Sequence, residues 1–130
     1  MNRTLRIELA VLAGAVLFAA GFVAGQNKFG QPKTVIHVVA VKFKATSTPE
    51  QQQKALQGVL DMAGKIPGIK NVWIKSTRVQ PRDYSAAFVL EFADRAAADA
   101  YAENPLRNNW FEKIYNPIRE ESRSFQITNP

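Results

Sequence analysis

Between Thr34 and Lys44 the chain reads TVIHVVAVKFK. In an extended strand Val35, His37, Val39, Val41 and Phe43 share one face, and Ile36, Val38, Ala40, Lys42 and Lys44 share the other. Both faces are apolar through the middle, so this strand needs cover on both sides. The pattern then lengthens to a helical period. In TSTPEQQQKALQGVLDMAGKIPGI, Leu56, Val59, Leu60 and Ala63 form one apolar stripe. Thr48 with Gln51 has capping-box spacing, Pro49 suits the first turn, and Pro67-Gly68 ends the helix. IKNVWIKST predicts a second strand and VQPRD a turn. YSAAFVLEF predicts a third strand with Tyr84, Ala86, Phe88, Leu90 and Phe92 on one face. Asp94 opens a second helix, DRAAADAYAEN, which Asn104-Pro105 interrupts because proline cannot continue the ladder. LRNNWFEKIYNPI resumes helically, with Trp110, Phe111, Ile114, Tyr115 and Ile118 at packing spacings, and ESRSFQIT predicts a short fourth strand.

The predicted order is β-α-β-β-α-β. Right-handed crossovers turn it into an α+β, ferredoxin-like fold: a four-stranded antiparallel sheet with both helices on one face. The helices leave the other face bare, and there Ile36, Val38, Ala40, Ala87 and Val89 remain apolar. A patch of that size is unusual on a monomer. A second copy packed sheet to sheet would seal it, so a homodimer through the sheet face is expected, forming a dimeric α+β barrel.

Ahead of this domain, residues 1–25 follow another rule. Arg3 and Arg6 give a positive start, and LAVLAGAVLFAAGFVAG carries no charge. That is the pattern of a signal peptide, or of an N-terminal membrane anchor if residues 7–25 stay uncleaved. Both readings put the domain outside the cytoplasm, secreted, periplasmic or anchored. Residues 26–33, QNKFGQPK, read as a linker, and 34–130 as the domain. The chain has 130 residues and no cysteine, which excludes disulfides and thiolate chemistry. Its single histidine excludes a multi-histidine metal site within one chain. The net charge of +6 is scattered rather than gathered into a basic run with aromatics, so nucleic acid is not an expected partner.

VIHVVAVKFK, IPGI, DYSAAFVLEF and AYAENPLRNNWFEKIYNPI, in this order, resemble the stress-responsive α/β-barrel (Dabb) domain family over Val35 to about Ile127. The resemblance implies a dimeric α+β barrel, and no cofactor or metal is expected. It also implies that the His37 face is the helix-covered one. A plant polyketide cyclase of this family performs an aldol condensation with a histidine on the first strand and a tyrosine on the second helix. His37 and Tyr101 match those positions and are the candidate catalytic pair. Asn104-Pro105-Leu106-Arg107 stands where that cyclase has His-Pro-x-His, and Ala86 where it has a further pocket histidine.

Candidate ligand-binding residues are therefore His37, Phe88, Tyr101, Arg107 and Trp110. A buried imidazole needs hydrogen-bond partners, and each group left unsatisfied costs about 1–3 kcal/mol. The Tyr101 hydroxyl is the expected partner, with Arg107 near the same end. Burial and a nearby arginine would both keep His37 neutral. Such a group could accept a proton beside a carbonyl while Arg107 stabilises an enolate or carboxylate oxygen. A small carbonyl or acidic ligand is the expected partner. The competing reading makes His37 a satisfied core residue, Tyr101, Trp110, Phe111 and Tyr115 hydrophobic packing, and Arg107 a solvated surface group.

Overall fold

The computed structural model describes residues 30–130 and, ahead of them, residues 3, 4, 7, 8 and 10–13. The signal or anchor expected over residues 1–25 and the first half of the linker lie largely outside the described residues. Among the described residues no helix is long and apolar enough to cross a membrane. The chain divides into two units, residues 1–31 and 32–130, and the fold below is that of the second.

Its elements follow the expected order. β1 is Val35–Phe43, α1 Pro49–Ala63, β2 Ile69–Trp73, β3 Ala86–Phe92, α2 Arg95–Ala102 and α3 Pro105–Trp110. A π-helical turn over Phe111–Tyr115 and a 3-10 turn over Asn116–Ile118 lead into β4, Arg119–Ile127. All strand pairs are antiparallel and the order across the sheet is β2-β3-β1-β4. Several strand limits differ from expectation. β2 stops at Trp73, short of the predicted run, β3 starts at Ala86, after the predicted Tyr84, and β4 runs from Arg119 to Ile127 rather than from Glu121 to Thr128.

The helix limits come from their caps. Thr48 Oγ1 accepts from the Gln51 amide at 3.2 Å, and Gln51 Oε1 accepts from the Thr48 amide at 2.9 Å, completing the capping box. Asp94 caps α2 by accepting from the Ala97 amide at 2.8 Å. Asn104 caps α3 by accepting from the Leu106 amide at 2.9 Å. Gly68 turns the chain into β2 at φ 86°, a left-handed conformation that glycine reaches without strain. A Cβ there would also stand 2.5 Å from that of Ala97.

The core gathers the odd face of β1 with Phe88, Leu90 and Phe92 of β3 under the helices. The apolar stripe of α1 is rotated from the predicted one. Ala55, Val59 and Met62 are buried, Leu56 is at the margin, and Leu60 stays 41% exposed. The cause is Gly58: a Cβ on it would lie 2.5 Å from Cδ1 of Trp110, so a bare backbone lets the indole sit against the helix. The Trp110 indole N–H donates to the Ala55 carbonyl at 2.9 Å and fixes that orientation.

None of the helices of this unit lies on the other sheet face. Register puts Ile127 beside Ile36, Phe125 beside Val38, and Trp73 beside Val89, extending the apolar patch predicted from β1 and β3. Phe125 is 59% exposed, Ile127 55% and Trp73 49%. Lys42 marks its polar rim, with Nζ 3.0 Å from Glu120 and 3.6 Å from Asp83.

Candidate functional site

His37 is the third residue of β1, between Leu90 of β3 and Gln126 of β4. Its imidazole points under the helices, where a cavity of about 230 Å³ opens. His37 and Val39 form its floor with Phe88 of β3, while Tyr101 of α2 and Arg107 and Trp110 of α3 form its wall. All five residues expected to bind a ligand thus line one space. The remaining sides come from Phe111, Tyr115, Arg119, Ser122 and Ser124. Of these, Phe111 and Tyr115 were expected only as packing, and Arg119 and the serines were not expected at all.

Local structure accounts for each placement. α2 ends just beyond Tyr101, and Asn104 restarts the chain in a new direction. That break brings Arg107 and Trp110 over the sheet. Trp110 stacks on Tyr115 with ring centroids 4.8 Å apart and meets Phe88 edge-on at 6.0 Å. The π-helical turn sets Phe111 and Tyr115 side by side at 5.8 Å. The following Asn-Pro-Ile turn delivers Arg119 to the cavity edge at the start of β4.

The hydrogen bond expected between His37 and Tyr101 is not formed. Their ring centroids are 6.3 Å apart and tilted by 56°. Nδ1 of His37 is buried without a partner. Three other buried side-chain atoms share that condition: Nε of Arg107, the hydroxyl of Tyr115 and Nε of Arg119. Every such orphan among the described residues belongs to a residue that lines this cavity.

Charge follows the same geometry. Burial, and then the Arg107 cation, lower the His37 pKa, so the ring is neutral at neutral pH. Burial raises the Tyr101 pKa, against the opposing pull of Arg107. Burial likewise raises that of Tyr115, with Ser122 and Arg119 opposing. The Arg107 guanidinium lies 4.7 Å from the Phe111 centroid and 6.0 Å from that of Tyr101. The Arg119 guanidinium lies 5.2 Å from Phe111 and 5.8 Å from Tyr115. Chemically, the site offers one neutral proton acceptor, two phenols and two cations around an apolar floor. Among the described residues no group of three or more His, Asp or Glu side chains is placed to hold a metal ion.

The Stress Responsive A/B Barrel Domain (Dabb) family profile matches residues 35–129. Solved structures share the fold. A Dabb family protein with a ferredoxin-like fold from Mesorhizobium loti superposes with a TM-score of 0.65 at 21% identity, covering 75% of this chain and 97% of its own. A dimeric ferredoxin-like protein from Thermobifida fusca gives 0.64 at 19% identity, covering 78% and 96%. A hydroxynitrile lyase from Passiflora edulis gives 0.66 at 14% identity, covering 74% and 93%. At these identities the likeness speaks for the fold. No curated protein matches the chain by sequence.

Proposed function

This chain belongs to the stress responsive A/B barrel domain family, and on that premise we propose that it is a homodimeric small-molecule-binding protein, exported or membrane-tethered, whose ligand occupies the His37 cavity. One observation carries the ligand site: the orphaned buried polar atoms all belong to residues around a single space. Each costs about 1–3 kcal/mol when unsatisfied, a cost that a polar ligand would offset once these side chains turn toward it. Support for the dimer comes from the uncovered apolar face and from the dimeric relative of the same fold. Export or tethering rests on the charged-then-apolar pattern of residues 1–25.

The two tryptophans make a convenient test. Trp110 lines the cavity and Trp73 lies on the bare sheet face. A fragment library screened by heteronuclear NMR should yield ligands that shift the Trp110 indole N–H and leave that of Trp73 in place. A screen whose hits all avoid Trp110, or that yields no hits, would refute the site.

A second reading makes the same cavity a cofactor-independent active site. Its support is the neutral His37 beside Arg107, a base next to a cation suited to an enolate. In that reading His37 takes a proton from the carbon beside a carbonyl and returns it. Exchange of the α-protons of a small ketone or 3-oxo acid with deuterated solvent should then be accelerated and lost in His37→Ala. Exchange no faster than in buffer would leave the binding function alone.

A further inference from the structure

We propose that Arg107 and Arg119 together hold the carboxylate of a small organic acid, whose flat apolar body lies against the Phe88 and Trp110 walls of the cavity. This rests on the cavity being a ligand site and assigns the ligand class. The first ground is uncompensated charge. Among the described residues three cations are half-buried, and of these Lys42 has carboxylates within 4.0 Å while neither Arg107 nor Arg119 does. Their hydrogen bonds go to neutral groups: Arg107 Nη1 to Asn108 Oδ1 at 3.1 Å, and Arg119 to Ser122 Oγ at 2.9 Å and Asn116 Oδ1 at 2.7 Å. Those contacts orient the guanidinium groups without neutralising them, and the Nε of each remains unpartnered.

The second ground is convergence. Both guanidinium groups lie against the Phe111 ring, 4.7 and 5.2 Å from its centroid, and both residues line the same cavity. Two cations without carboxylate partners around one partly desolvated space favour an anion there. Guanidinium suits this role because its planar fork can bond both carboxylate oxygens. The third ground is size and lining. A dry cavity of about 150 Å³ is known to accept benzene, and this one is about 230 Å³, room for a ring or short acyl chain with its charged end. Val39, Phe88 and Trp110 supply the apolar surface, which a bare inorganic anion would leave unused.

The purified full chain is titrated with benzoate, phenylacetate and acetoacetate, and in parallel with benzamide, phenylacetamide and acetoacetamide, following the Trp110 indole signal. Each acid is expected to bind about tenfold or more tightly than its neutral counterpart, as a charge-assisted contact implies. Arg107→Gln and Arg119→Gln should each remove most of that advantage, and Arg119→Lys should restore only part, having charge without the fork. Dispersed NMR spectra establish that the variants fold. Should Arg119→Gln lose its fold, because Arg119 also ties Asn116 to Ser122, Arg107→Gln decides the matter. Neutral compounds binding as tightly as the acids overturn the anion assignment and leave the ligand site standing. No saturable shift in either series overturns both. Inorganic phosphate binding more tightly than every acid overturns the choice of carboxylate. Arg107→Gln binding benzoate like the parent overturns the grip.

Discussion

Replacing Phe125 with lysine tests whether a second copy covers the bare sheet face. A Phe side chain offers on the order of 200 Å², and Phe125 is 59% exposed beside Val38. Sealing it against a twin would remove about 120 Å² from water, worth about 3 kcal/mol at 25 cal/mol per Å². Two-fold symmetry doubles the figure, because each protomer contributes one Phe125. Buried area converts poorly into affinity, so half of the doubled sum is a fair expectation. Phe125→Lys should then raise the dimer dissociation constant about a hundredfold. Gln53→Lys, on the exposed side of α1, adds the same charge away from the patch and serves as the control. Sedimentation velocity over a concentration series reads the effect. A parent chain that stays single at every concentration, or a Phe125→Lys dimer as tight as the parent, would refute the reasoning.

Three further outcomes follow from the geometry. His37 has a lowered pKa in the fold, so between its ordinary value and the lowered one the unfolded chain binds more protons. Stability should therefore fall as pH drops below about 6.5, and His37→Leu should flatten that part of the thermal-unfolding profile while holding or raising stability at neutral pH. A profile that keeps its slope in His37→Leu would assign the titration elsewhere. Gly58→Ala gains about 1 kcal/mol of helix propensity, but its Cβ would press 2.5 Å from a tryptophan pinned by a hydrogen bond and a stacked ring. A net loss of about 1–2 kcal/mol is expected from urea unfolding, and a gain would show that Trp110 moves freely. Thr48→Ala removes the capping box of α1 and should cost about 1 kcal/mol by the same assay, with no change in ligand binding.

Much of this architecture was legible in the sequence because the periods were clean. Alternation in β1 separated its two faces, the family resemblance told which of them the helices cover, and five of the cavity residues were found from the two together. What escaped has physical causes. On α1 several stripes are nearly equally apolar, and the choice among them is made by a glycine whose partner lies 52 positions away in sequence. Beyond Trp110 the chain leaves the α-helical period for a π-helical turn and then a 3-10 turn. A reading at 3.6 residues per turn follows Tyr115 into the core but cannot see that it also faces the cavity, or that Arg119 does. The Asn-Pro pair at 116–117 was the available signal, since a helix seldom runs past it and the next residues must point somewhere new. The expected bond between His37 and Tyr101 failed for a simpler reason: strand and helix positions fix which side chains are neighbours, while 6.3 Å between rings depends on the tilt of the packed layers.

β1 keeps its two surfaces apart residue by residue: odd positions from Val35 reach the helices, and even positions from Ile36 reach the opposite side. The nine-residue ribbon can therefore be edited like a two-sided page. If the proposed dimer and ligand site hold, libraries confined to Ile36, Val38 and Ala40 would retune self-association, and those confined to His37 and Val39, with Val35, Val41 and Phe43 kept, would retune ligand choice. Selections for the two traits could proceed in separate laboratories and be merged afterwards.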